Sequence, residues 1–129
     1  MFHYPYRQAG PDRVPAAFVL LRVADHDSDV WHPDIPALAD TGADQTMLPR
    51  RVVDALGLTE FDTLKVAGFD NTVHERPLYA VQLIVRDLPP VRVPVIGGGE
   101  DEYAVLGRDV LNFFRVVFDG PNQRLEISG

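Results

Sequence analysis

Short apolar runs, broken by polar stretches that carry glycine and proline, recur along the chain, and this spacing predicts a mostly β fold. Residues 16–24, rich in Phe, Val and Leu, read as a buried strand, and residues 35–40 as another that ends on Asp40. The runs at 64–67 and 78–85 flank Gly68, Phe69, Asp70, Asn71 and Thr72. Gly, Asp and Asn tolerate the positive φ values of a hairpin tip, so this region reads as a hairpin. Residues 91–96, 103–106, 115–118 and 124–127 read as further strands, the last pair joined by the Asp-Gly-Pro-Asn turn at 119–122. Helical signals are confined to residues 49–57, which open on a proline and stop at a glycine, and to residues 108–114. The rest is expected to be irregular: an N-terminal arm at 1–15, a solvated loop covering 25–29 and 31–34, and a flexible acidic loop at 97–102.

Length and composition narrow the class. A chain of 129 residues suits one domain, 1–129, large enough for a core and too small for two ordinary ones. With 46% hydrophobic and 24% charged residues it suits a folded globule rather than a disordered chain. The absence of cysteine excludes disulfides, thiolate metal sites and cysteine nucleophiles, and agrees with a reducing, cytoplasmic setting. The apolar run at 16–21 is too short to span a bilayer, and no basic start with a cleavage pattern marks a signal peptide, so a soluble protein with no membrane partner is expected. A formal charge of −7 with no basic patch argues against nucleic acid as a partner. Ser28 and Ser128 are the only serines and neither sits in Gly-x-Ser-x-Gly, which excludes that form of serine hydrolase. His26 and His32 lie among carboxylates but without a helical i, i+4 ligand pair, so neither a metal nor another cofactor is expected.

The candidate chemistry lies at Leu38-Ala39-Asp40-Thr41-Gly42-Ala43-Asp44-Gln45-Thr46-Met47-Leu48-Pro49. An apolar approach delivers one carboxylate onto a tight turn, and an apolar segment carries the chain away. Asp-x-Gly alone is common turn chemistry. The full segment, however, closely resembles the active-site segment of retroviral-type aspartic proteases, the retropepsins. Downstream, Tyr103-Ala104-Val105-Leu106-Gly107-Arg108-Asp109-Val110-Leu111 resembles the strand-to-helix element that follows in the same family. Both matches occur in the family's order with a hairpin-like region between them.

This resemblance implies a retropepsin-like acid protease fold: a closed, barrel-like half with a flap hairpin and two short helices, active as a two-fold homodimer on a polypeptide substrate. One chain carries one Asp-Thr-Gly, and a two-fold axis supplies the second carboxylate. The resemblance gives Asp40 the catalytic role and places Thr41, Gly42, Ala43, Asp44, Thr46, Arg108 and Asp109 in its support. Within that set it implies an ion pair between Asp44 and Arg108, and a Thr41 hydroxyl turned to the partner chain. By position, Gly68, Phe69, Asp70 and Asn71 would form the flap tip, and Val95 and Ile96 would line the substrate cleft. Two alternatives stay open: a retropepsin-like module that dimerises and binds a peptide without cutting it, and an unrelated ligand-binding barrel.

Overall fold

A computed structural model describes residues 1–68, 70–100 and 102–129. Most of the chain is β. Strands β2 (Phe18–Asp25) and β3 (Trp31–Ala39) form an antiparallel pair, and β4 (Met47–Pro49) leads into helix α1 (Arg50–Leu56). Strands β5 (Asp62–Ala67) and β6 (Val73–Ile84) form a long hairpin, followed by β7 (Val91–Gly99) and the short β8 (Ala104–Leu106). Helix α2 (Arg108–Leu111) then precedes β9 (Arg115–Asp119) and β10 (Arg124–Ser128). Strand β1 (Phe2–Pro5) precedes all of these. None of the described helices is long and apolar enough to cross a membrane.

Hydrogen bonding runs β2-β3-β8-β4-β7-β6 and returns to β2 through a β2–β6 pairing, which closes a six-stranded barrel; β5 hangs from the outside of β6. Closure leaves the barrel strands no free edge. The period-2 alternation of β2 sends Val19, Leu21 and Val23 inward, where they meet Ile35, Leu83, Val95 and Leu106. Each fully buried side chain of this size contributes roughly 1.5–3 kcal/mol. Gln82, a buried polar side chain near the end of β6, is satisfied: its Nε2 donates to the carbonyls of Asp25 (3.1 Å) and Ser28 (2.7 Å), fastening the β2–β3 loop.

Several segments depart from the sequence expectations. Residues 1–15 contain a strand: β1 pairs with β10, placing Tyr4 opposite Leu125, and β10 pairs with β9 in a separate three-stranded sheet. Arg86 pins this strand by lying over the rings of Phe2 and Tyr4 and donating from Nε to the Tyr4 hydroxyl at 3.2 Å. Residues 31–34 belong to β3 rather than to a loop, because Trp31 and His32 pair with Ala24 and Val23. Residues 97–99 likewise extend β7 instead of opening a loop. A Cβ on Gly97 would collide with the Tyr79 ring, so glycine here is what lets the ring lie against the strand. Asp101, expected in that loop, lies outside the described residues. Helix α1 forms as expected, with Pro49 at its N-cap and Gly57 in the left-handed conformation at its C-cap (φ 60°). Helix α2 is shorter than the spacing suggests, ending at Leu111 with Phe113 and Phe114 in tight i→i+3 turns.

Candidate active site

The parallel pairing of β3 with β8 sets Ala37, Leu38 and Ala39 beside Ala104, Val105 and Leu106. One further bond, Asp40 N–H to the Leu106 carbonyl at 3.0 Å, carries this ladder to the base of the turn. The Ala43 amide donates back to the Asp40 carbonyl (3.2 Å), and the Gly42 amide donates to Asp40 Oδ1 (2.9 Å). A side chain at Gly42 would bring its Cβ to 3.1 Å from that same Oδ1, so glycine keeps the space beside the carboxylate open. Asp40 is half-buried, while Thr41 and Gly42 are exposed. The site in one chain is therefore a carboxylate on an open ledge.

The ledge is held from below by a network centred on Thr46, which is fully buried. Its hydroxyl donates to Asp109 Oδ1 (2.7 Å) and accepts from the Gly107 amide (3.0 Å). Its own amide donates to Asp109 Oδ2 (3.1 Å), and its carbonyl accepts from the Ile96 amide (2.9 Å). A second tie comes from Arg108, whose amide reaches the Ala43 carbonyl at 2.9 Å and whose Nη1 reaches the Thr41 carbonyl at 2.7 Å. The turn is thus gripped by the segment 107–109, and every buried polar atom of Thr46 is paired.

Three expectations need correction. No ion pair joins Asp44 to Arg108 among the described residues: the guanidinium is taken by the Thr41 carbonyl, and Asp44 is exposed. A main-chain acceptor that points directly at the fork competes successfully with a solvated carboxylate. Val95 does not line a cleft; it is fully buried in the barrel core, because the alternation of β7 points it inward. Ile96 is also buried, and its contribution to the turn is the backbone bond to Thr46.

The hairpin expected as a flap is present, with Gly68, Asp70 and Asn71 exposed at its tip. The Gly68 amide donates to the Thr72 carbonyl (2.9 Å), Asn71 takes a positive φ of 63°, and Asp70 Oδ1 accepts from the Thr72 hydroxyl (2.6 Å) and amide (3.1 Å). Those bonds hold the Asp70 carboxyl below its ordinary range, the hydroxyl bond having the larger effect. Phe69 lies outside the described residues.

Gly107, not counted above among the supporting residues, packs directly against the turn. Its φ of −89° is ordinary, but a Cβ there would stand 2.8 Å from the Gln45 carbonyl carbon and 3.0 Å from the Ala43 oxygen. Its signal in the sequence is its place in the segment that resembles the family's strand-to-helix element, between a strand and a helix. A cation could find ligands at Asp25, His26 and Asp27, whose ligand atoms lie within 4.8 Å of one another. These residues are consecutive, Asp25 half-buried and His26 and Asp27 exposed, and they sit at the end of β2 remote from Asp40.

Comparison with known proteins agrees with this geometry. A family model described as aspartyl protease matches residues 27–110, which takes in the Asp40 turn, the hairpin and the Thr46–Asp109 brace. No curated protein matches. Among solved structures, a retropepsin-like aspartic protease from Rickettsia conorii is 16% identical with a TM-score of 0.58, covering 96% of this chain and 88% of its own. EIAV protease, solved with the inhibitor HBY-793, is 17% identical with a TM-score of 0.57, covering 74% and 85%. A retroviral protease-like domain from Leishmania major is 14% identical with a TM-score of 0.53, covering 88% and 90%. At these identities the structures speak for the fold, which is retropepsin-like. With the family model spanning the turn and everything that holds it, the chain belongs to the aspartyl protease family.

Proposed function

We propose that this protein is an aspartic endopeptidase that acts as a two-fold homodimer on polypeptide substrates, with Asp40 of each chain forming the catalytic pair. The observation that carries this reading is the state of Asp40: one oxygen is fixed by the Gly42 amide, the carboxylate is half-exposed, and the surrounding turn is rigidly braced yet open. A lone structural carboxylate has no use for such a ledge. Two of them about 3 Å apart share one proton, since both cannot ionise at that distance. The ionised member takes a proton from water, the water oxygen attacks the peptide carbonyl carbon, and the protonated member gives its proton to the carbonyl oxygen. The member that took the water's proton then gives it to the amide nitrogen while the other removes a proton from one hydroxyl of the tetrahedral intermediate, so the C–N bond breaks and the pair again holds one proton. The exposed Thr41 hydroxyl is available to the partner's turn, and the β5–β6 hairpin is available to cover an extended substrate.

The test is cleavage of a diverse peptide mixture across acidic to neutral pH at two protein concentrations, with Asp40→Asn in parallel. Cleavage that Asp40→Asn abolishes, and that rises more than linearly with concentration, is the expected result. A protein that dimerises but leaves every peptide intact would be a peptide-binding module instead.

A further inference from the structure

Strand β2 turns Leu20 and Arg22 to the outside of the barrel, opposite its inward-pointing Val19, Leu21 and Val23. Beside them lies a cavity of about 500 Å³ bounded by Tyr4, Leu20, Arg22, Asp34, Arg86 and Asp87. None of these residues belongs to the Asp40 turn or to its brace. The charges come as two Arg–Asp sets. Arg22 and Asp34 stand where the β2–β3 register shifts, between the pairs Leu21–Ile35 and Val23–His32. Arg86 and Asp87 are neighbours in the turn from β6 to β7, which is closed by the Leu88 amide donating to the Val85 carbonyl. Two cations and two anions thus share the cavity, yet no ion pair joins any of them among the described residues.

Each guanidinium is instead seated on aromatic rings. That of Arg22 lies 5.8 Å from the centre of the Trp31 ring, and that of Arg86 lies 5.4 Å from Phe2 and 5.2 Å from Tyr4. Arg86 reaches its seat from a left-handed backbone (φ 51°), which is uncommon for a residue with a side chain. Its Nε donates to the Tyr4 hydroxyl, while its Nη groups and the whole Arg22 fork make no hydrogen bond among the described residues. Stacking sets the planes of both forks before any ligand arrives, which lowers the conformational cost of binding. An apolar recess of about 180 Å³ adjoins the cavity, sharing Tyr4 and Leu20 and continuing to Pro5 and Phe18.

We propose that this cavity binds a free α-amino acid with an apolar side chain. The two guanidinium forks take the α-carboxylate, Asp34 and Asp87 take the α-ammonium, and the recess beside Leu20 takes the side chain. A simple anion matches the forks but meets two carboxylates, and a simple cation meets two guanidiniums. A peptide carries its terminal charges too far apart to satisfy both sets at once. The bound amino acid bridges the barrel, through Arg22, to the turn whose Arg86 pins β1, so occupancy fastens the first strand. The site is independent of the peptidase reading.

Calorimetric titration of the full chain with L-leucine tests the site, with leucinamide and N-acetyl-leucine as controls that each remove one charge. Leucine is expected to bind, and each control to bind at least ten-fold more weakly. Glycine keeps both charges, leaves the recess empty, and is expected to bind more weakly than leucine. In two-dimensional NMR, leucine is expected to shift the amides of Leu20, Arg22 and Asp87 and to leave those of residues 40–44 in place. Arg86→Gln also loosens β1, so the exposed Arg22 and Asp87 give the cleaner variants. Arg22→Gln and Asp87→Asn are each expected to weaken leucine binding at least ten-fold. Absence of heat and of amide shifts at millimolar leucine overturns the proposal. So does equal binding of leucinamide, N-acetyl-leucine or glycine, unchanged affinity in both variants, or a shift pattern confined to residues 40–44.

Discussion

Asp109 holds Thr46 with both carboxylate oxygens, one on the hydroxyl at 2.7 Å and one on the amide at 3.1 Å, from 63 positions further along the chain. Because Thr46 is fully buried, no water can replace a missing partner. Thr46→Val keeps the shape but leaves Asp109 Oδ1 and the Gly107 N–H short of a bond. It is expected to cost about 2–3 kcal/mol. Thr46→Ser keeps the hydroxyl and should cost about 1 kcal/mol or less, the share of the lost methyl. Urea denaturation of both variants checks the contrast; equal losses would mean that the hydroxyl does not brace the turn.

Gly107 tests the closeness of the same packing. Gly107→Ala drives a Cβ into the backbone of Ala43 and Gln45 and is expected to destabilise by about 2–3 kcal/mol. Gly120→Ala, where a Cβ meets nothing within 4 Å, should stay within about 0.5 kcal/mol of the parent. Thermal unfolding midpoints of the two variants provide the comparison.

Arg108 and Asp44 should behave independently. Arg108→Ala frees the Thr41 carbonyl, and amide exchange at Thr41 and Gly42 is expected to quicken while global stability falls by no more than about 1 kcal/mol. Asp44→Asn should leave exchange at the turn unchanged and stability within about 0.5 kcal/mol. A double-mutant cycle with a coupling energy well above that level would restore the ion pair.

The hairpin tip carries a pH signature. The depressed carboxyl of Asp70 means that its contribution is present above the ordinary aspartate range and is lost as pH falls through the lower, folded-state value. Thr72→Val removes the largest of the lowering bonds. The Asp70 titration, followed by carboxyl carbon NMR, is expected to move upward toward the ordinary value. No movement would mean that the hydroxyl is not bonded to the acid.

Local chemistry made parts of this molecule legible. The Asp40 turn, the α1 stop at Gly57 and the β5–β6 hairpin each follow from neighbours in sequence, through turn residues, caps and alternation. What could not be read depended on distant partners. Nothing in Phe2-His3-Tyr4-Pro5 announces that it will pair with β10, because the pairing is decided at the other end of the chain. Gly97 to Gly99 resemble a loop until Tyr79 is set against Gly97. Val95, expected in the cleft, lies in the core, since an apolar residue in a strand carries no label for its face until register is known. The family resemblance implies an Asp44 partner for Arg108, whereas the folded chain offers its guanidinium the Thr41 carbonyl instead.

The grip of residues 107–109 on the Asp40 turn also governs when the site comes into being. Parallel pairing of β3 with β8 cannot form until the whole intervening hairpin region has been looped back, a long-range closure of the kind that folds slowly. A nascent chain that has emerged only as far as the hairpin carries Asp40 but neither Leu106, Gly107 nor Asp109 to hold it. The Asp40 turn therefore acquires its brace only once residues 104–109 have been made and folded back on it, so that a partly synthesised chain carries the turn without the segment that holds it.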